Sequence, residues 1–157
     1  MKNSSKSSES KQSKYKAPLG IDQICELLPH RFPFLLVDRI TTLDDKCARG
    51  IKNVTISEPC FRECEPGPPT LSEALILESM NQVGAILVVT ATGKEGKAPY
   101  VVSIEKTRFL RPVCPGDQME IEVRVVRLHK RYGKLRGEAR VNGELAVEAQ
   151  IMCTIPE

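Results

Sequence analysis

Residues 70–92 read TLSEALILESMNQVGAILVVTAT. The stretch has no proline and one internal glycine, Gly84. Apolar side chains fall on every face of its helical projection, and a helix that is apolar all round is a buried one. The pattern predicts one long central helix of about 30 Å, at ~1.5 Å per residue. Thr70 and Glu73 have the spacing of a capping box, with Ser72 as an alternative cap.

Downstream, four strands are predicted over Tyr100–Leu110, Met119–Leu128, Lys134–Val141 and Leu145–Ile155. Leu135, Gly137, Ala139 and Val141 alternate with Lys134, Arg136, Glu138 and Arg140, the period of a half-buried strand. Asn142-Gly143 between the last two strands is a strong two-residue hairpin signal. Upstream, a short helix is expected over Ile21–Leu28, stopped by Pro29. Strands are expected over Phe34–Ile40 and Cys47–Thr55, with a turn at Asp44–Asp45. Ser57–Pro69 carries Pro59, Pro66, Pro68 and Pro69 and reads as an irregular loop. The plan is α+β: an antiparallel sheet of about five or six strands curled around one helix.

The chain has 157 residues, room for one domain of ordinary size. Lys and Arg total 23 against 20 Asp and Glu. Residues 1–16 hold five Lys and one Glu, so residues 17–157 keep 18 basic and 19 acidic residues. The excess sits in a Ser/Lys tail expected to be disordered, ahead of a single domain at 17–157. The folded part is not a basic, nucleic-acid-binding body. No run of about 18 uninterrupted apolar residues suggests a membrane span. With no apolar leader, a cytoplasmic setting with free thiols is expected for the six cysteines. Cys60 and Cys64 are the one close pair, and they lack the further ligands a zinc site needs. Neither metal nor cofactor is expected.

Four blocks carry a resemblance: LPHRFPFLLVDRI at 28–40, GIKNVT at 50–55, LILESMNQVG at 75–84 and RFLRPVCPGDQ at 108–118. In this order they closely resemble the FabZ-type beta-hydroxyacyl-ACP dehydratases. The resemblance covers about residues 21–155 and implies the hotdog fold, a dimer joined sheet edge to sheet edge, and often a trimer of such dimers. It also implies a 3-hydroxyacyl chain held as a phosphopantetheine thioester on acyl carrier protein, from which water is eliminated. That chemistry needs a base at C2, an acid for the C3 hydroxyl and a donor for the thioester oxygen. The family takes them from a Gly-His-Phe-Pro-Gly loop, a helix carboxylate of the other subunit and a glycine N–H at the helix start.

This chain departs from that pattern. Its loop is Glu63-Cys64-Glu65-Pro66-Gly67, with Cys64 at the histidine position. Glu73 stands at the oxyanion glycine, where its N–H persists beside an opposing charge. Cys64 reads as a small filler: a thiol starts near a pKa of about 8.5, and flanking carboxylates push it higher. Glu78, at the carboxylate position, interrupts an apolar helix and reads as functional rather than as a relic held by loop backbone. His30 and His129 do not restore the site by sequence. Phe32, Phe34 and Phe109 read as core or tunnel wall. Arg124–Arg136 holds six basic residues and no acidic one. There Arg127, Lys130, Arg131 and Lys134, with Arg108, are candidates to dock the acidic carrier, or else belong to a solvated hairpin.

Three functions remain open from sequence. The first is a dehydratase homologue that binds acyl-ACP with little activity alone, as a homo-oligomer or beside an active dehydratase. The second is an acyl thioesterase using Glu78 as base. The third is a dehydratase with a displaced catalytic group.

Overall fold

The computed structural model describes residues 14–61 and 67–156. Elements follow in the order α1 (Ile21–Leu27), β1 (Arg39–Leu43), β2 (Cys47–Asn53), a 3-10 turn at Pro59–Phe61, α2 (Glu73–Thr92), β3 (Tyr100–Phe109), β4 (Gln118–Leu128), β5 (Tyr132–Val141) and β6 (Glu144–Thr154). The six strands form one antiparallel sheet, ordered β1-β2-β4-β5-β6-β3. This is the hotdog arrangement: α2 packs on β2, β4, β5 and β6. Gln82 through Thr90 are buried without a break. By length and composition alone α2 would suit a membrane span, but most of it is buried inside the domain.

Ser72 is the N-cap of α2, without a side-chain cap bond, so the alternative cap applies and the Thr70–Glu73 box does not. The hairpin at Asn142-Gly143 has positive φ at both residues, 52° and 80°, as its tight turn requires. Residues 1–13 lie outside the described residues. Tyr15 belongs to the folded part: it is buried, and its hydroxyl donates to Glu26 at 2.9 Å.

One strand is corrected. Residues 34–37 are not in the sheet, and β1 begins at Arg39. The backbone folds into a turn, Phe34 and Leu35 N–H donating to the Arg31 carbonyl. A helix side chain then stands in for a neighbouring strand. The Gln82 amide donates to the Phe34 carbonyl at 2.7 Å and accepts from Leu36 N–H at 2.9 Å. Buried backbone groups need partners, and here a glutamine supplies two of them.

The sheet meets the helix where it carries glycine. A Cβ on Gly50 would lie 2.7 Å from Val83 Cγ2 and 3.3 Å from Ile40 Cδ1. Val83 is β-branched and stiff at χ1, so it cannot swing aside. Gly50→Ala is expected to destabilise the domain by about 1–3 kcal/mol through overpacking. The measurement is the urea midpoint, and an unchanged midpoint would contradict this close approach.

Candidate active site

Glu78 lies on the first third of α2, half-buried rather than in the apolar core. Its neighbours come from helical spacing and from one loop. Gln82, four residues on, donates its amide to Glu78 Oε1 at 2.9 Å. Asn81, three residues on, reaches Oε2 at 3.5 Å. His30 Nε2 stands 3.4 Å from Oε1. Among the described residues, the partners of the carboxylate are side-chain amides and an imidazole. Gln82 is 1% exposed and links two tasks, since the same amide fixes the 34–36 segment beside His30.

His30 is placed by its neighbour. The Arg31 guanidinium donates to the carbonyls of Leu28, His30 and Cys25, gathering the turn after α1 onto itself. His30 then faces α2, its ring centroid 6.3 Å from that of Phe34. His30, Glu78, Asn81 and Gln82 line a cavity of about 70 Å3 together with Val101, Leu135, Ile151 and Cys153. Burial pushes the Cys153 thiol up, and its S–H donates to the Gly133 carbonyl, so this cysteine is a neutral wall group.

The other candidates lie elsewhere. Cys64 falls outside the described residues. The path to its loop is anchored by a buried ion pair, Lys52 Nζ at 3.0 Å from both Glu58 oxygens. Glu73 is exposed at the start of α2 and borders a separate cavity of about 310 Å3 with Phe109, Leu110 and Arg111. As the first helical residue its N–H has no intrahelical partner, which suits a donor. Phe32 (82% exposed), Phe34 and Phe109 are not core. Along one chain they are open surface, as are Tyr100, Val102 and Leu110 of edge strand β3 and its exit.

Arg108 is tied to Glu148 on the outer face, where the guanidinium holds the Glu148 carboxyl below the usual range. Arg127, Lys130 and Arg131 are exposed and Lys134 is half-buried, around the β4–β5 turn. Lys130 and Arg131 border an open groove of about 850 Å3 at the C-terminal end of α2. Fourteen residues separate Glu78 from Thr92 in that groove, about 21 Å of helix. Among the described residues, no group of three or more His, Cys, Asp or Glu is placed to hold a metal ion.

His30 and Gln82 are the residues that sequence reasoning missed. Gln82 had a usable signal, its i, i+4 spacing from Glu78. His30 had none, because its approach depends on a turn 48 residues away.

The family model of the FabA-like domain matches residues 28–150. The 3-hydroxyacyl-[acyl-carrier-protein] dehydratase FabZ of Pelotomaculum thermopropionicum is 46% identical over 138 residues, 87% of this chain and 99% of that protein. The FabZ of Caldicellulosiruptor bescii is 43% identical, over 87% of this chain and 98% of that protein. Among solved structures, the dehydratase heterocomplex ApeI:P of Xenorhabdus doucetiae superposes with a TM-score of 0.69 at 16% identity, over 85% of this chain and 91% of that one. A hypothetical thioesterase of Streptococcus pneumoniae superposes at 0.60 with 11% identity, over 74% and 84%. At these identities the two structures share the fold alone.

Proposed function

The chain belongs to the FabA-like family, with FabZ dehydratases as its relatives, and from that premise we propose that it is a FabZ-type subunit of fatty-acid biosynthesis holding half of a dehydration site. Its substrate is a 3-hydroxyacyl chain on acyl carrier protein. The observation that carries this reading is Glu78. Two amides and an imidazole surround the carboxylate in the wall of a cavity, while position 64 carries a cysteine. A carboxylate kept in such detail fits a working group, and a thiol does not replace the missing imidazole.

The missing half comes from a neighbour. Edge strand β3 exposes Tyr100, Val101 and Val102, and edges of this kind are paired or covered in soluble proteins. Pairing with a second copy builds a homo-oligomer. Pairing with a complete FabZ-type dehydratase sets Glu78 against an intact histidine loop, giving one working site and one dead tunnel per dimer. ApeI:P, on the same fold, is itself a dehydratase heterocomplex, which supports a heteromeric reading. Arg127, Lys130, Arg131 and Lys134 supply the basic surface for an acidic carrier, whereas Arg108 is occupied by Glu148. A reducing cytoplasmic setting fits the free thiols of Cys25, Cys47, Cys114 and Cys153. The elimination breaks a C–H and a C–O bond with no net oxidation or reduction, so it calls for no redox cofactor.

The product distinguishes this reading from a thioesterase. The purified protein is given 3-hydroxyacyl-ACP and saturated acyl-ACP. It is expected to bind both, to form trans-2-enoyl-ACP slowly and to release no free acid. Free acid from the saturated substrate would overturn the reading.

A further inference from the structure

His30 presents one nitrogen to Glu78 and leaves the other without a partner. Nε2 is 3.4 Å from Glu78 Oε1, while Nδ1 is buried with no hydrogen-bond partner among the described residues. Asn81 Oδ1 is buried and unpaired in the same way. Both residues border the cavity of about 70 Å3, several times the ~15 Å3 that one water needs. Buried polar atoms without partners are uncommon, and two around one cavity indicate a polar ligand. A carboxylate beside one ring nitrogen settles the proton there and leaves the lone pair on the other.

We propose that His30 and Glu78 form a catalytic pair within a single subunit, with His30 Nδ1 as the base for elimination from the 3-hydroxyacyl thioester. The inference rests on the FabZ-type reading and assigns the slow turnover of this chain alone. The C2–H bond breaks as its proton passes to Nδ1, and the electron pair is taken up toward the thioester carbonyl as an enolate. The enolate collapses to the C2=C3 double bond as the C3–O bond breaks. The departing oxygen keeps that bond's electrons, takes the proton back from Nδ1 and leaves as water. Imidazole ends as it began, and no co-reactant is consumed. Glu78, as carboxylate, offsets the imidazolium charge between the two steps. Asn81 and Gln82 keep Glu78 in place from the adjacent turn of the helix.

The test uses the full chain alone, at concentrations high enough to follow slow enoyl formation from 3-hydroxyacyl-ACP. His30→Gln is expected to lower the residual kcat by about 10²-fold or more, with KM little changed. Cys64→Ala is expected to leave it unchanged. Free imidazole is expected to restore turnover to His30→Ala, which a merely structural histidine would not allow. Turnover lost with Cys64→Ala but kept with His30→Gln overturns the pair, as does turnover no higher than that of Glu78→Gln. Binding of saturated acyl-ACP is followed in parallel. If that binding is absent, the FabZ-type reading fails as well; if binding persists while turnover ignores His30, the pair alone fails.

Discussion

Glu78→Gln is expected to lower the turnover of a mixed oligomer with a complete FabZ-type dehydratase by about 10²–10⁴-fold, the range for loss of one acid–base group. The substitution keeps the size of the side chain and an oxygen to accept from Gln82, but removes the charge and the capacity to hold a proton. In the mixed dimer, one site joins the partner's histidine loop to Glu78, and the other joins the partner's carboxylate to Cys64. The second site lacks imidazole, so all fast turnover passes through Glu78. The effect belongs in kcat, because the basic surface proposed to hold the carrier lies some 20 Å away at the other end of α2. Oligomers purified through a tag on each chain are the material to assay. A mixed oligomer whose rate ignores the substitution would remove Glu78 from the chemistry.

The second large effect concerns the protein by itself. Its dehydration of 3-hydroxyacyl-ACP is expected to run about 10²–10⁴-fold slower than that of a complete relative, roughly 3–5 kcal/mol in barrier. Cys64→His is expected to recover little of this. Glu63 and Glu65 still flank the loop position, and the Glu73 side chain still opposes negative charge at the helix start. Side-by-side turnover numbers decide the point. A rate matching the relative would show that a complete site exists in one chain, and a full recovery by Cys64→His would clear the three glutamates of any part.

The reach of the sequence can be argued from particular residues. α2 was legible because burial on every side leaves a helix without a polar stripe, and Gln82 through Thr90 are buried in succession. The Asn142-Gly143 hairpin was legible because its turn demands positive φ, which few residues adopt. The run from Phe34 was misread as strand for the opposite reason. Apolar residues mark burial, but the choice between a ladder and a turn fell to Gln82, a contact across 46 to 48 positions. Phe32 suggested core or tunnel wall, as an aromatic residue in an apolar run does, and along one chain it is open surface rather than core. At the site, Glu78 stood out as a charge in an apolar helix. The approach of His30 was invisible, since it depends on how Arg31 gathers three carbonyls from α1 and its exit.

The most direct test joins two chains that are each deficient. A complete FabZ-type dehydratase has its own helix carboxylate changed to glutamine, which leaves its histidine loop intact and its homodimer nearly inactive. This is combined with the present protein, and the mixed oligomer is isolated and assayed for enoyl formation. The account predicts that activity returns, because Glu78 meets the intact loop across the shared edge, and that it is lost again with Glu78→Gln. A mixed oligomer that forms but stays as inactive as either chain alone would contradict the claim that this protein contributes half of a dehydration site.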